Sequence, residues 1–208
     1  MPGRKGQMFL IAAVVIVAVL VVLGFSMSSP ASVEQENVMK STLESEIFDN
    51  VLNEFNATMD MSANAPGNIT ANIVDFAGFA RTEMSGRAMS LDTLFVGTVA
   101  NQTLKALRVT TFNSLGSPIN ASLEVNGQTG SNSSVANNDF WATTFDMKPG
   151  DTYLMNVTYN IPGGAATKYT IQITTKKKQD TYTGFFYVAL AGASASHVSQ
   201  YQKYITLS

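Results

Sequence analysis

Residue types that could perform catalysis are sparse in this chain of 208 residues. His197 is its single histidine, and it has no cysteine, which excludes thiolate catalysis, disulfides and cysteine-based zinc sites. A serine hydrolase would need His197 as general base, but no serine stands in a Gly-x-Ser-x-Gly sequence. We therefore interpret His197 as a surface or turn residue and predict a protein without catalytic residues.

Two groups of charged residues could bind ions. Asp139, Asp146 and Asp151 fall in one region and could offer oxygen ligands to Ca²⁺, but they lack the spacing of a metal-binding loop, which favours solvated turns. The lysines at 176–178 are expected at a solvated hairpin tip, with binding to an anionic surface as the alternative. No glycine-rich run matches a phosphate-binding loop, and the net charge of −2 gives no footprint for nucleic acid. The sequence predicts no metal site, no cofactor and no nucleic-acid partner.

Six asparagines stand in Asn-x-Ser/Thr sequences, where composition alone would give about three. They are Asn56, Asn68, Asn101, Asn120, Asn132 and Asn156. This sequence is the acceptor for N-glycosylation in exported proteins. We take all six as candidate sites of an exported glycoprotein.

An export or membrane signal is present at the N-terminus. Residues 8–25 form an unbroken apolar run of 18, without charge or proline. A helix of this length, rising ~1.5 Å per residue, nearly spans the ~30 Å hydrocarbon core of a bilayer. Arg4 and Lys5 precede the run and no cation follows before Lys40, so the positive-inside rule places the N-terminus in the cytoplasm. The pattern predicts a single-pass protein of the cell membrane with an extracellular C-terminal domain; a cleaved secretory signal or a buried helix are the alternatives.

The residues before this run add a processing signal. The sequence Arg4-Lys5-Gly6-Gln7, directly followed by the apolar run, resembles the class III signal peptide of archaeal type IV pilins and archaellins. The resemblance is limited to the leader and the apolar helix. It implies that a membrane leader peptidase cuts between Gly6 and Gln7 and that the helix then packs in a filament core. One feature departs from the family: many pilins carry a glutamate at the fifth mature position, where this chain has Ile11.

A helical region follows the apolar run. From residue 32 to about residue 61, apolar residues recur at helical spacing, as in Leu43, Ile47, Val51 and Phe55. A break over residues 63–67 and a cap at Asn68 precede a second helix expected over residues 69–88. We predict a helical hairpin whose first helix packs either on its own domain or on neighbouring subunits.

After residue 90 the apolar pattern changes to alternation, which is typical of strands. About eight short strands, separated by turn sequences, predict an antiparallel β-sandwich of immunoglobulin-like shape. Trp141 is expected in its core, and residues 127–139 are expected to form an exposed polar loop. The whole chain is thus predicted as α+β. It comprises a leader (1–6), a transmembrane or filament-core helix (7–25), a helical stalk (26–90) and a β-sandwich ectodomain (91–208).

Two functions fit these features. The first is a structural subunit of an archaeal cell-surface filament, which self-associates through its apolar helix. The second is a monomeric, single-span surface protein whose β-sandwich binds a partner or a glycan. An exported hydrolase is the third and least supported hypothesis, because no catalytic residues accompany His197.

Overall fold

The computed structural model describes residues 33–63 and 69–207, and side chains over 40–62 and 69–207. The chain divides into two units, Met1–Lys40 and Ser41–Ser208. The described residues form helices α1 (Val33–Ala63) and α2 (Ile69–Ser85), followed by strands β1 (Ser90–Asn101), β2 (Ala106–Ser114), β3 (Ile119–Val125), β4 (Gln128–Val135), β5 (Asp139–Asp146), β6 (Thr152–Asn160), β7 (Thr167–Thr174), β8 (Thr181–Ala191) and β9 (Ser196–Thr206). None of the described helices combines the length and apolarity of a membrane span. The predicted leader and apolar helix lie outside the described residues.

The strands form two antiparallel sheets. One sheet has the order β5-β2-β1-β8-β9 and the other has the order β4-β3-β6-β7. Apolar side chains from both sheets form the core between them, among them Val96, Leu107, Leu123, Met155 and Ile171. The predicted α+β order is confirmed for the described residues as two helices followed by two antiparallel sheets, and these residues are mostly β.

The five-stranded sheet is buried on both of its faces. Along β1, Leu94 and Val96 face the four-stranded sheet, whereas Leu91 and Phe95 belong to a second core with the two helices. In register, Phe95 pairs with Phe112 of β2 and Phe186 of β8. Burial on both faces explains why β1 and β8 are nearly continuous apolar runs instead of alternating ones.

The helices cover this sheet as an antiparallel pair. The rings of Phe55 in α1 and Phe76 in α2 meet edge to face with centroids 4.8 Å apart, and Asn72 Nδ2 donates to Ser62 Oγ at 2.9 Å. The stripe from Ile47 to Met59 is buried against the chain's own sheet. The predicted helical hairpin therefore packs on its own domain over this stretch.

The second helix ends three residues earlier than predicted. It ends at Ser85, not at Ala88, because Ala88 takes a left-handed backbone with φ 58°. The amide of Met89 donates to the Met84 carbonyl at 3.0 Å, and that of Ala88 donates to the Ser85 carbonyl at 3.1 Å. This pair of bonds is a Schellman cap, which satisfies the last carbonyls of the helix and turns the chain into β1.

Two sequence predictions about the loops were wrong. The polar segment 127–139 is not a loop, because Gln128–Val135 pairs with β3 as edge strand β4. Backbone hydrogen bonds to β3 stabilise β4, although Val135 is the one buried residue of this strand. The lysines at 176–178 are not at a hairpin tip either, because they connect β7 of one sheet to β8 of the other.

Glutamine side chains close both open sides of the sandwich. Gln128 of β4 bonds the backbone of Asp146 in β5 twice, donating to its carbonyl at 3.2 Å and accepting from its amide at 3.0 Å. On the other side, Gln202 of β9 donates to the Gln172 carbonyl of β7. Edge strands expose unpaired backbone groups, so these bonds protect part of each edge.

Candidate functional site

The structure places the predicted chemical residues apart from one another. Asp139 and Asp146 begin and end β5, which separates them by about 24 Å along the strand. Asp151 follows in the turn before β6. Among the described residues, no group of three or more acidic, histidine or cysteine side chains could hold a metal ion.

His197, which the sequence predicts as a surface or turn residue, is a half-buried residue of an edge strand and not part of a turn. It lies within β9, and its ring stacks on Phe48 of α1 with centroids 5.6 Å apart. Its Nε2 is buried and has no hydrogen-bond partner within the described part of the chain. Because its ring packs against an apolar helix residue, we assign it a packing role.

The leader residues Gly6 and Gln7, and the candidate site Asn68, lie outside the described residues. Cleavage after Gly6 therefore stays a prediction. The five other Asn-x-Ser/Thr asparagines lie on regular elements: Asn56 in α1, Asn101 at the end of β1, Asn120 in β3, Asn132 in β4 and Asn156 in β6.

A carboxylate that the sequence did not single out joins helix α1 to the β8–β9 turn. Glu44 is 8% exposed, and its two carboxylate oxygens accept hydrogen bonds from the amides of Ser194 at 3.2 Å and Ala195 at 2.8 Å. Gly192 allows this approach, because a Cβ there would overlap the carboxylate. Charge-assisted bonds to backbone amides are among the stronger hydrogen bonds in proteins. We call this contact the Glu44 clamp.

Further contacts continue the clamp along β9. Phe48, one helical turn after Glu44, packs on His197, and Asp60 forms an ion pair with Lys203 at 2.5 Å. Between Glu44 and Asp60, helix α1 therefore follows β9 from the turn before it to Lys203. The only sequence signal for Glu44 is its position four residues before Phe48, on the line of the apolar stripe.

A polar network joins helix α2 to two turns of the sandwich. Arg81 Nη1 donates to Ser114 Oγ at 3.0 Å and to Asn138 Oδ1 at 2.8 Å. The Asn113 amide group donates to the carbonyls of Ser117 at 2.8 Å and Val135 at 3.0 Å. The Asn113 bonds satisfy backbone carbonyls and the Arg81 bonds join side chains of neighbouring elements, so we assign the network a structural role.

Tyrosines from both sheets gather near this network. The ring of Tyr169 lies 6.1 Å from those of Tyr159 and Tyr187, measured between centroids. Burial raises the pKa of Tyr169 and of Tyr187, and the nearby Asp92 carboxylate adds to the effect on Tyr187. Both phenols therefore stay protonated and neutral around neutral pH and act as hydrogen-bonding and packing groups.

Asp92 makes the stability of the folded protein depend on pH. Burial raises its pKa above the ordinary value of 3.8, and the Arg81 guanidinium opposes this rise without cancelling it. Between 3.8 and the native pKa, the folded protein holds more protons than the unfolded chain, so stability falls as pH rises through this interval. We expect Asp92→Asn to raise the melting temperature at pH 7 and to leave it unchanged at pH 3.

The effect of Asp92→Asn should be small, because the residue is only half-buried. Asp151→Asn, which changes an exposed carboxylate, is the matched control. Thermal melts of the two variants across this pH range measure the difference. Equal destabilisation by Asp92→Asn at both pH values would show that its carboxylate is needed for the fold and is not penalised by burial.

The described residues define a mostly-β protein in which two antiparallel sheets pack together and a helical hairpin covers one of them. Protein-family models, curated proteins and solved structures give no match to this chain. A proposal about its function therefore depends on its own residues.

Proposed function

We propose that this chain is a structural subunit of an archaeal cell-surface filament, anchored and assembled through its N-terminal apolar helix. The observation that carries the proposal is the order Arg4-Lys5-Gly6-Gln7 followed at once by the apolar residues 8–25. In this proposal a membrane leader peptidase cuts after Gly6. The helix anchors the chain in the cell membrane with the C-terminal domain outside, and it then enters the filament core.

The pairing of the strands supports an immunoglobulin-like outer domain. Strand β2 lies between β1 and β5, as strand B lies between A and E in immunoglobulin domains. The order β4-β3-β6-β7 corresponds in the same way to C′-C-F-G. In this interpretation β8 and β9 are additions beside β1, on the sheet that carries the helices. Such a domain suits the outer surface of a filament, because strand pairing makes it rigid without a ligand.

The burial of the stalk stripe supports our proposal that the apolar run is the segment that assembles. The stripe from Ile47 to Met59 is occupied within the chain, so it is not free to pack on neighbours. Small residues in the run, Ala12, Ala13 and Ala18, permit close approach of neighbouring helices. Register between subunits then depends on the shapes of these helices, because Ile11 offers no charge to pair with an amine.

Ile11 is also the observation that favours the second function. Without a glutamate at this position, the helix could serve as a permanent anchor for a monomeric surface protein whose sandwich binds a partner or a glycan. N-terminal sequencing of native protein and negative-stain imaging of sheared surface material distinguish these functions. The filament proposal expects a start at Gln7 and filaments labelled by antibody to this chain. A start at Met1 in the native protein would contradict class III processing. The Gly6→Val variant, in contrast, is expected to keep its leader and to start at Met1.

Ala13→Leu tests assembly directly. A lone anchor tolerates a larger apolar side chain in lipid, whereas a tight helix core becomes overpacked, which destabilises packing by roughly 1–3 kcal/mol per contact site. We expect filaments to be lost or shortened while the amount of chain in the membrane is unchanged. Val14→Leu, a smaller increase at the adjacent position, is the matched control. Unchanged oligomer size with Ala13→Leu would favour the monomeric anchor.

A further inference from the structure

The asparagines of the Asn-x-Ser/Thr sequences differ in where their side chains point. We infer that N-linked oligosaccharides are carried by Asn120 and Asn156, and that Asn56, Asn101 and Asn132 stay unmodified. The outer face of the four-stranded sheet is then the exterior of the assembled protein. This inference rests on the proposed export of the domain.

Asn56 and Asn101 are held by contacts within the packed part of the fold. Asn56 lies in α1 beside the buried Phe55, and its own Oδ1 is buried. Asn101 is held in the β1–β2 turn, where its amide group donates to Asp180 at 3.3 Å and its oxygen accepts from the Leu104 amide at 2.8 Å. A glycan added before folding must end outside the folded chain, so modification at either position would disturb the fold.

Asn132 is excluded by the direction of its strand. It is directly opposite Ala121, and residues directly opposite in a ladder share a face of the sheet. Ala121 is buried in the core between the sheets. The Asn132 oxygen also accepts from the Ser134 amide at 3.0 Å.

Asn120 and Asn156 have the opposite orientation. Asn120 alternates with the buried Ile119 and Ala121, so it points away from the core. Asn156 lies between the buried Met155 and Val157 and points to the same outer face. There Asn156 Oδ1 accepts from Thr170 Oγ1 at 3.0 Å, a bond that a glycosylated amide can keep because its oxygen is unchanged. Its Nδ2 donates to Glu124 Oε2 at 3.4 Å in a contact exposed to solvent, unlike the part-buried contact of Asn101 with Asp180, and a glycosylated amide keeps one N–H for this bond.

The chemistry of this face fits a glycan cover. Its side chains are mostly uncharged and polar, as in Ser122, Thr158 and Thr170. They can therefore form hydrogen bonds with the hydroxyl groups of a sugar. Leu154, two residues before Asn156 on the same face, is 63% exposed. Successive residues on one face of a strand are about 7 Å apart, so the first sugar on Asn156 can cover this apolar side chain.

The modification is a balanced group transfer from a lipid-phosphate-linked oligosaccharide. The Asn Nδ2 atom forms a bond to the anomeric carbon of the first sugar, and the bond from that carbon to the phosphate oxygen breaks. The phosphate leaves with the electron pair, and a base of the transferring enzyme takes one amide proton. The hydroxyl residues that complete the two acceptor sequences are Ser122 and Thr158.

These hydroxyls permit a sharp test in the full chain expressed in its native host. Thr158→Ala and Ser122→Ala each destroy one acceptor sequence without changing its asparagine, whereas Thr158→Ser and Ser122→Thr keep it. We expect each alanine variant to lose the mass of one oligosaccharide and each conservative variant to keep it. Glycopeptide mass spectrometry of the native chain should show both asparagines occupied.

Two results would overturn the inference. One is a native protein in which Asn120 and Asn156 are both unmodified. The other is an oligosaccharide on Asn56, Asn101 or Asn132. Negative-stain images of the same sheared material report filament formation independently, so bare asparagines in visible filaments would reject the glycan assignment and leave the proposed function standing.

Discussion

Phe55→Ala is expected to lower the free energy of unfolding by about 3–5 kcal/mol, the range for a large aromatic removed from a packed core. Phe55 is 2% exposed, and its ring lies 4.8 Å from that of Phe76 and 5.1 Å from that of Phe186. It therefore joins both helices to the five-stranded sheet, and its truncation leaves a cavity that stiff strands cannot close.

Urea unfolding of the detergent-solubilised protein, followed by circular dichroism, measures this change. Phe140→Ala is the matched control, because Phe140 lies on edge strand β5 and is 60% exposed. We expect the control to change the unfolding free energy by less than about 0.5 kcal/mol. If Phe55→Ala were as mild as its control, the helical hairpin would not be packed on the sheet as described.

The helical hairpin could be predicted because its signal is local. Leu43, Ile47, Val51 and Phe55 repeat every fourth residue, and this period alone predicts a helix with one apolar face. What that face packs against is a tertiary question, so the sequence left two answers open. The left-handed turn at Ala88 gave no signal, because alanine is a good helix former and a glycine is the usual residue there.

The strands were predicted best where one face of the sheet meets solvent. Strands β3 and β6 alternate buried and exposed residues, and their alternation was visible in the sequence. The central strands β1 and β8 show little alternation, because both faces of their sheet are buried. Strand β4 was missed for the opposite reason, since its stability comes from backbone pairing with β3 and its side chains are mostly small and polar.

Contacts between distant parts of the chain were beyond prediction. Trp141 was expected to be buried, because it alternates with Thr143 and Phe145, but it is half-buried since β5 lies at the edge of its sheet. Gly97 and Gly184 are directly opposite each other in β1 and β8. A Cβ at Gly97 would overlap the Tyr182 and Phe95 side chains, and one at Gly184 would overlap Met59. Only the assembled layers show why both strands need glycine there.

The Glu44 clamp is the strongest case of such a contact, because about 150 residues separate its partners. Glu44→Ala leaves the amides of Ser194 and Ala195 without their carboxylate acceptor. We expect a loss of about 1.5–3 kcal/mol in unfolding free energy, the range for hydrogen bonds to a charged group. Glu44→Gln keeps the shape and one acceptor oxygen, so its loss should be smaller.

Gly192→Ala should destabilise the protein by a similar amount through the same contact. The new methyl group would overlap the Glu44 carboxylate, which must then leave the two amides. The backbone of Gly192 itself is not left-handed, so alanine is compatible with its conformation. The whole penalty therefore comes from the lost clamp, not from strain in the turn.

The double variant shows whether the cost of Gly192→Ala comes from the Glu44 carboxylate, because without that carboxylate the effect of Gly192→Ala on stability should change sign. Once Glu44→Ala has removed the carboxylate, Gly192→Ala meets no obstacle and lowers the entropy of the unfolded chain, which stabilises proteins by roughly 0.4–1 kcal/mol. We therefore expect Gly192→Ala to destabilise the wild type and to stabilise the Glu44→Ala variant slightly. Urea unfolding of all four proteins gives the coupling energy, and hydrogen exchange at the Ser194 and Ala195 amides should accelerate in each single variant. Additive effects, with unchanged exchange at these amides, would show that helix α1 and the β8–β9 turn are not joined through this carboxylate.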